Sequence, residues 1–311
     1  MLDGQHDEWR TQQIAQSLIK EGINVIFLVS SFDHYRKIHR SAANRDKYKS
    51  RFGAEMVFIP SIGYRNNISI RRVVNYWFQA SWLFFYFLIF SRSTDRLLLT
   101  IPAIEHLIAR YSFRGKIVID YRDLWPQIFH SYVHGLTGLF AKAYIKILEV
   151  LLKRAFIAAH AIITISEDFK NEIVSLASNC EEKIIVLRQY RSMSKGIPVR
   201  RSLNCPEWYR SNIVYAGKIS SRTNVLESVK EISKNKKFEG TIFVCGPGDG
   251  DELEKLNALC SRAKNIKYLG NLEKEDLDKV YAESSFGLIP YKGAEDLSLA
   301  LPNKFFEYLS N

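Results

Sequence analysis

Lys304 and Glu307 stand three residues apart, just after Pro302, in the string LALPNKFFEYLSN at 299–311. A polar stretch, residues 293–299, separates them from a buried-looking apolar run at 286–290. Proline suits the first position of a helix, where its missing N–H would be unpaired anyway. Residues 304–310 therefore read as a helix carrying Lys304 and Glu307 on one face. A cation beside the free N–H groups of a helix start, at the carboxyl end of a strand, suits a phosphorylated sugar. The same residues equally describe a plain strand–loop–helix joint with a surface Lys–Glu pair.

Asp120, Arg122 and Asp123 form a second set, opening the string YRDLWPQIF after the apolar run KIVID at 116–120. Two carboxylates flanking an arginine can serve as an acid/base pair with a phosphate clamp. They can also be an internal Arg–Asp salt bridge, with Trp125 as a core anchor. Gly217 and Lys218, with Arg222 behind them, follow another strand-like run at 212–215. Glycine lets the backbone approach a ligand and the cations can meet a diphosphate; a surface turn is the simpler reading. The spacing is not that of a Walker loop, and the glycines at 246, 248 and 250 do not make GxGxxG. The histidines share no metal-ligand spacing, His130 and His134 included, so no zinc site is expected. There is no serine nucleophile elbow. The four cysteines, Cys180, Cys205, Cys245 and Cys260, are scattered without CxxC spacing, which suggests reduced thiols in a cytosolic chain.

These groups sit in an alternating pattern. Helical spacing at 8–20 precedes a buried strand at 24–30, and further strands are expected at 54–60, 97–100, 116–120, 161–165 and 183–187. Helices are expected at 101–110, at 139–157 and after Ser166, whose hydroxyl suits an N-cap ahead of Glu167 and Asp168. Residues 188–210 read as a linker. Beyond it, strands at 212–215, 241–245, 266–269 and 286–290 alternate with helices at 224–233, 251–263 and 273–282. That is the pattern of a doubly wound parallel sheet. Two α/β domains follow, residues 1–200 and 201–311. The strand before the first helix is missing or squeezed into the first few residues, and the second domain stops partway through a helix, so a C-terminal truncation is expected.

Charge divides the chain along the same line. The net +11 arises in the first 201 residues, which carry +12, while residues 202–311 carry −1. All seven histidines also precede residue 202. An anionic partner for the first half is implied: a membrane surface, a lipid phosphate or nucleic acid. No nucleic-acid recognition motif accompanies the charge. Residues 73–90 are apolar except for Asn75, Gln79 and Ser81, and Arg71, Arg72 and Arg92 flank them. A buried domain helix, a helix lying in the membrane interface and a true span all fit; the βα pattern beyond it argues against a span.

Taken together, the chain resembles the GT-B glycosyltransferases, specifically the large retaining family 4 and its branch that builds bacterial O-antigen, capsule and exopolysaccharide. The resemblance runs over nearly the whole chain: SSFDHY at 30–35, GYRNNISIRRVVNYWF at 63–78, DYRDLWPQ at 120–127, ITISEDFKNEI at 163–173, CGPGDG at 245–250, the run 266–290, and SLALPNKFFEYLS at 298–310. The P-N-K-x-x-E-Y-L string is its most specific part, and DYRDLWP the next.

The resemblance implies two Rossmann-like domains facing a cleft. It implies transfer of a sugar, with retention and without a metal or other cofactor, from a nucleoside-diphosphate sugar to a polyprenyl-diphosphate-linked saccharide. By position, Glu307 would bond the donor ribose, and Lys218 and Arg222 would hold the diphosphate. Ser298, Leu299, Ala300, Asn303 and Lys304 fall in the donor-site string, with the backbone of Leu299 and Ala300 facing the phosphate or sugar. Gly270 would lie by the base. Leu299 departs from the acid usual at its position, which leaves the sugar-facing contact unassigned; Glu295 or Asp296 could substitute. Asp120, Arg122 and Asp123 would line the acceptor side. The resemblance also implies a cytoplasmic protein, peripheral on the anionic inner face of the membrane. A catalytically inactive or partner-dependent relative and a nucleotide-sugar epimerase are the alternatives.

Overall fold

The computed structural model describes residues 10–34, 37–41, 46, 49, 53–66, 69–101, 103–123, 125–126, 137–188, 210–220, 223–248, 250–290 and 303–309. The chain divides into two compact units, Met1–Arg188 and Gln189–Asn311.

The first unit opens on helix α1 (Arg10–Lys20) and strand β1 (Ile26–Ser30). A short antiparallel hairpin follows, β2 (Phe32–Asp33) with β3 (Ile38–His39). Strand β4 (Glu55–Ile59) pairs with β1 in parallel, Ile26 opposite Glu55. The long apolar stretch becomes helix α2 (Ile70–Phe90), with the Ser69 hydroxyl capping the Arg72 N–H. Strands β5 (Arg96–Thr100), β6 (Lys116–Asp120), β7 (Ala161–Thr164) and β8 (Ile184–Val186) form a parallel sheet in sequence order. Helix α3 (Thr137–Ala158) links β6 to β7, and α4 (Glu167–Leu176) starts on the expected Ser166 cap. The expected helix at 101–110 is instead a 3₁₀ helix, Ile104–Tyr111. Its buried anchors Ile104 and Leu107 are three apart, and a three-residue turn stacks them on one face.

Helix α2 has two apolar faces. Asn75, Gln79, Ala80, Leu83 and Phe87 are buried on one. Its polar members are satisfied there: Gln79 donates to the Ser30 hydroxyl at 2.7 Å, and Asn75 accepts from Ser61 Oγ at 2.6 Å. Ile70, Val74, Phe78, Phe85 and Ile89 are exposed on the other, Ile89 at 68%. Among the described residues α2 is the one helix long and apolar enough to cross a membrane.

The second unit is a parallel sheet in the order β11-β10-β9-β12. Its strands are β9 (Ile213–Ala216), β10 (Ile242–Cys245), β11 (Ile266–Tyr268) and β12 (Phe286–Gly287). Helices α5 (Val225–Lys234), α6 (Gly250–Arg262) and α7 (Lys274–Ala282) connect them, and α8 (Asn303–Leu309) follows β12. Every residue of β9 and β10 is buried, as expected of central strands covered on both faces. Ile213, Tyr215, Ile242 and Val244 pack on one side with Val225, Val229 and Leu256. Their alternates Val214, Ala216, Phe243 and Cys245 pack on the other with Val280 and Tyr281. Each fully buried aliphatic chain contributes about 1.5–3 kcal/mol, which holds the carboxyl ends of these strands in fixed register.

Candidate functional site

The strand ends of the second unit meet in glycines. Gly217, Gly246 and Gly270 follow β9, β10 and β11 with φ of +147°, +127° and +75°. Gly217 N–H donates to the Cys245 carbonyl at 2.9 Å, and Gly246 N–H to the Gly270 carbonyl at 2.7 Å. A Cβ on Gly246 would lie 2.3 Å from the Gly217 oxygen. At Gly246 the close approach of the Gly217 backbone requires glycine, and all three positions hold φ values that favour it. The result is a flat backbone shelf at the carboxyl edge of a parallel sheet, where open α/β sheets bind ligands.

Lys304 lies across that shelf. A Cβ on Gly217 would be 2.3 Å from Lys304 Cε and 2.6 Å from Nζ. The Nζ stands 3.8 Å from the centre of the buried Tyr215 ring, close enough for a cation–π contact. Tyr215 in turn donates its hydroxyl to the Lys218 carbonyl at 2.6 Å, bracing the turn beneath. Burial pushes the Lys304 ammonium down to about 8, with Glu307 pulling it back up. An anion placed here would restore the charge that burial disfavours.

Helix α8 is pinned by partners distant in sequence. The Tyr308 hydroxyl accepts from Ala216 N–H at 3.0 Å and donates to the Leu288 carbonyl at 3.2 Å. Its ring occupies the space a Cβ on Gly287 would fill, 2.1 Å away. Glu307 accepts from the Tyr281 hydroxyl at 3.2 Å. Lys304 is thus set by Tyr308 docking on β9 and β12.

Gly217, Gly270, Lys304 and Glu307 therefore all belong to this end of the sheet, and Lys218 is exposed on the β9 turn. Arg222, Glu295, Asp296, Ser298, Leu299 and Ala300 lie outside the described residues, as does the side chain of Asn303. Tyr215, Gly246 and Tyr308 were not singled out as site residues by the sequence reading. A tyrosine two residues before the glycine of a buried strand end was the one available signal for Tyr215.

In the first unit, Asp120 is fully buried at the end of β6. Arg122 Nε lies 3.1 Å from one carboxylate oxygen and Arg10 Nε 3.4 Å from the other. Burial raises the Asp120 pKa, and both arginines oppose the rise. Arg10 also donates to the Leu187 carbonyl, and Arg122 to Thr11 Oγ1 at 3.4 Å. Asp120 and Arg122 are thus brought together as an internal ion network that ties α1 to the sheet. Asp123 is exposed at the surface beside them, with its carboxyl raised by desolvation and by Asp120, and lowered by Arg122. Among the described residues no group of three His, Cys, Asp or Glu is placed to hold a metal ion.

No protein-family model and no curated protein matches the chain. Solved structures do. Sucrose-phosphate synthase from Thermosynechococcus elongatus superposes with a TM-score of 0.59 at 13% identity, over 90% of this chain and 69% of that one. HepE of Anabaena in complex with UDP gives 0.52 at 13%, over 86% and 74%. A putative UDP-N-acetylglucosamine 2-epimerase from Listeria monocytogenes gives 0.52 at 11%, over 94% and 72%. The chain spans about two thirds to three quarters of the solved chains it resembles. At these identities the likeness is one of fold: two Rossmann-like units of the kind found in GT-B glycosyltransferases.

Proposed function

We propose that the chain transfers a sugar from a nucleoside-diphosphate donor to a lipid-linked saccharide acceptor, with retention, in the synthesis of a bacterial surface polysaccharide. The placement of Lys304 over Gly217 and Tyr215 carries this reading. When the sugar–phosphate bond breaks, negative charge grows on the leaving diphosphate, and fixed positive charge there lowers the barrier. Lys304 supplies it from a desolvated position, and Lys218 and Arg222 add to it without a metal. The glycine shelf lets the diphosphate lie on backbone, Glu307 meets the donor ribose, and Gly270 lies by the base. In the front-face course of a retaining transfer, the leaving phosphate takes the acceptor proton.

The first unit receives the acceptor. Asp123 lines that side, with Arg122 held in place by Asp120. The exposed face of α2, together with exposed Leu139 and Phe140 on α3, sits in a half of the chain carrying +12. Apolar side chains with surrounding cations suit the inner face of an anionic membrane, where a polyprenyl-diphosphate-linked saccharide is found.

The test is a transfer assay with radiolabelled UDP- and GDP-sugars and a bacterial lipid-linked acceptor fraction, with product anomers assigned by NMR. A lipid-linked product that keeps the donor's anomeric configuration supports the reading. An altered nucleotide sugar formed without acceptor would make the chain an epimerase. No turnover of any donor by folded protein would make it a binding relative.

A further inference from the structure

The parallel strands of the first unit fall into two sheets, β1-β4 and β5-β6-β7-β8, and no pairing joins β1 to β5. Yet the same helices cover both. Helix α1 starts where Arg10 meets Asp120 of β6 and the Leu187 carbonyl past β8, and ends where Ile19 packs with Phe27 and Val29 of β1. Leu28 lies between those two residues and so points to the opposite face. There it joins Leu97 of β5 in one cluster with Leu83 and Phe87 of α2. We propose that the gap between β1 and β5 is a strand-binding slot, which takes one extended apolar segment of a partner polypeptide and hydrogen-bonds it from both sides.

The two edges present the donors and acceptors for it. In a parallel ladder, alternate residues of a strand bond to one neighbour and those between them face the other side. Glu55 N–H donates to the Val25 carbonyl at 3.1 Å and Ser31 N–H to the Ile59 carbonyl at 2.8 Å, which assigns the odd-numbered residues of β1 to β4. Lys116 N–H donates to the Asp95 carbonyl at 3.1 Å and Ile101 N–H to the Asp120 carbonyl at 3.2 Å, which assigns the odd-numbered residues of β5 to β6. Ile26, Leu28 and Ser30 on β1, and Arg96, Leu98 and Thr100 on β5, therefore turn their backbone groups into the gap. Among the described residues no strand pairs with either row. The Ser30 carbonyl, at the end of its row, accepts from Arg40 at 2.6 Å.

Burial and sequence agree with an open edge. A sheet open on one face exposes alternate residues. In β1 and β5 no residue of either face is fully buried, and Ile26 is 47% exposed. Both sequences, IFLVS and RLLLT, are nonetheless the near-continuous apolar runs of interior strands. The runs of β9 and β10, which have a strand on each side, are wholly buried. The walls fix the occupant's chemistry. Apolar helix faces on both sides favour apolar side chains, and two rows of peptide groups favour an extended backbone. Edges of this length match a run of about five residues. Residues 1–9, which lie outside the described residues, offer only Met1, Leu2 and Trp9 as apolar members, so a run of that kind comes from another polypeptide.

The slot does not depend on the glycosyl-transfer reading, and its test uses no nucleotide. Amide hydrogen exchange is followed in the full chain alone, with a synthetic Val/Leu peptide flanked by lysines, and with the same peptide carrying a central proline, which cannot donate. In the chain alone, the amides of Ile26, Leu28, Leu98 and Thr100 are expected to exchange about tenfold or more faster than those of Phe27, Val29, Leu97 and Leu99. The Val/Leu peptide should slow them about tenfold or more, and the proline peptide should not. Leu98→Pro should abolish this protection in a chain that circular dichroism shows to be folded, because the N–H it removes faces the gap. The comparison of the two peptides stands without that variant. Slow exchange at these amides in the chain alone, an equal effect of both peptides, or no effect of either overturns the proposal. Protection that grows with protein concentration without peptide also overturns it, by making a second copy the occupant.

Discussion

Gly217 and Lys304 divide one space between them: a Cβ at 217 would sit 2.3 Å from the lysine Cε. The residues are far apart in sequence, and the absence of a side chain at one is the condition for the other's position. Gly217→Ala must displace Lys304 from Tyr215, and it also strains a backbone at φ +147°. The expected outcome is a nucleotide affinity lowered about tenfold or more, the worth of one charge-assisted contact. A loss of about 1–3 kcal/mol in the second unit's stability accompanies it. Titration and thermal unfolding of the variant check both, and wild-type affinity would show that Lys304 makes no contact with the ligand.

The lowered Lys304 pKa gives two opposite pH slopes. In the unfolded chain its ammonium titrates near the ordinary 10.5, and in the folded chain near 8. Between those values the unfolded chain holds more protons, so this group makes stability rise with pH across that window. Nucleotide affinity runs the other way, flat below about pH 8 and falling above it, because the anion binds the charged form. Lys304→Met should remove this residue's share of both slopes. Comparing melting temperatures and affinities of the two proteins from pH 7 to pH 10 isolates this residue, since all other groups titrate in both.

Asp120 and Asp123 should separate under substitution. Asp120→Asn leaves Arg10 and Arg122 facing a neutral amide in a buried site, and breaking such a network costs about 3–5 kcal/mol. Asp123→Asn changes an exposed carboxylate and should move stability by no more than about 0.5 kcal/mol. It should lower kcat/KM for the acceptor about tenfold or more if Asp123 meets that substrate. Chemical denaturation and acceptor kinetics on the two variants decide between a structural and a substrate-facing role for each.

The exposed face of α2 predicts membrane binding sensitive to both its apolar side chains and salt. Phe85 is 60% exposed and Ile89 68%. Phe85→Ser with Ile89→Ser should reduce partitioning onto phosphatidylglycerol vesicles about tenfold or more, with the melting temperature little changed. Raising salt should weaken what remains. Co-sedimentation with anionic and neutral vesicles measures it; equal binding to both would remove the role assigned to the basic first half.

Much of the architecture was legible because period and punctuation state it. The strands at 24–30, 116–120, 212–215 and 241–245 appear within two residues of their expected bounds, and Ser166 caps its helix. Local pattern could not show partners distant in sequence. Arg10 on Asp120 and Tyr215 under Lys304 are contacts of the fold, with no periodic signal at either end. The 3₁₀ helix after β5 was misread because apolar residues at spacings of three and four fit both helix types over one or two turns. Helix α2 was ambiguous for a physical reason. Its sequence is apolar nearly all round, and only packing reveals that Leu83 and Phe87 face the core while Phe85 and Ile89 do not. At the candidate site, spacing after Pro302 and the family resemblance pointed to Lys304 and Glu307, whereas their placement depends on Tyr308 docking against Gly287.

Every role proposed for the second unit depends on a nucleoside diphosphate binding the glycine shelf under Lys304. Isothermal titration of the full chain with UDP and GDP, beside Lys304→Met, tests it most directly. Saturable binding of one nucleotide to the wild type at pH 7.5 is expected, weakened about tenfold or more in the variant. Folded wild-type protein that binds neither nucleotide, or a variant that binds as tightly as the wild type, would contradict it.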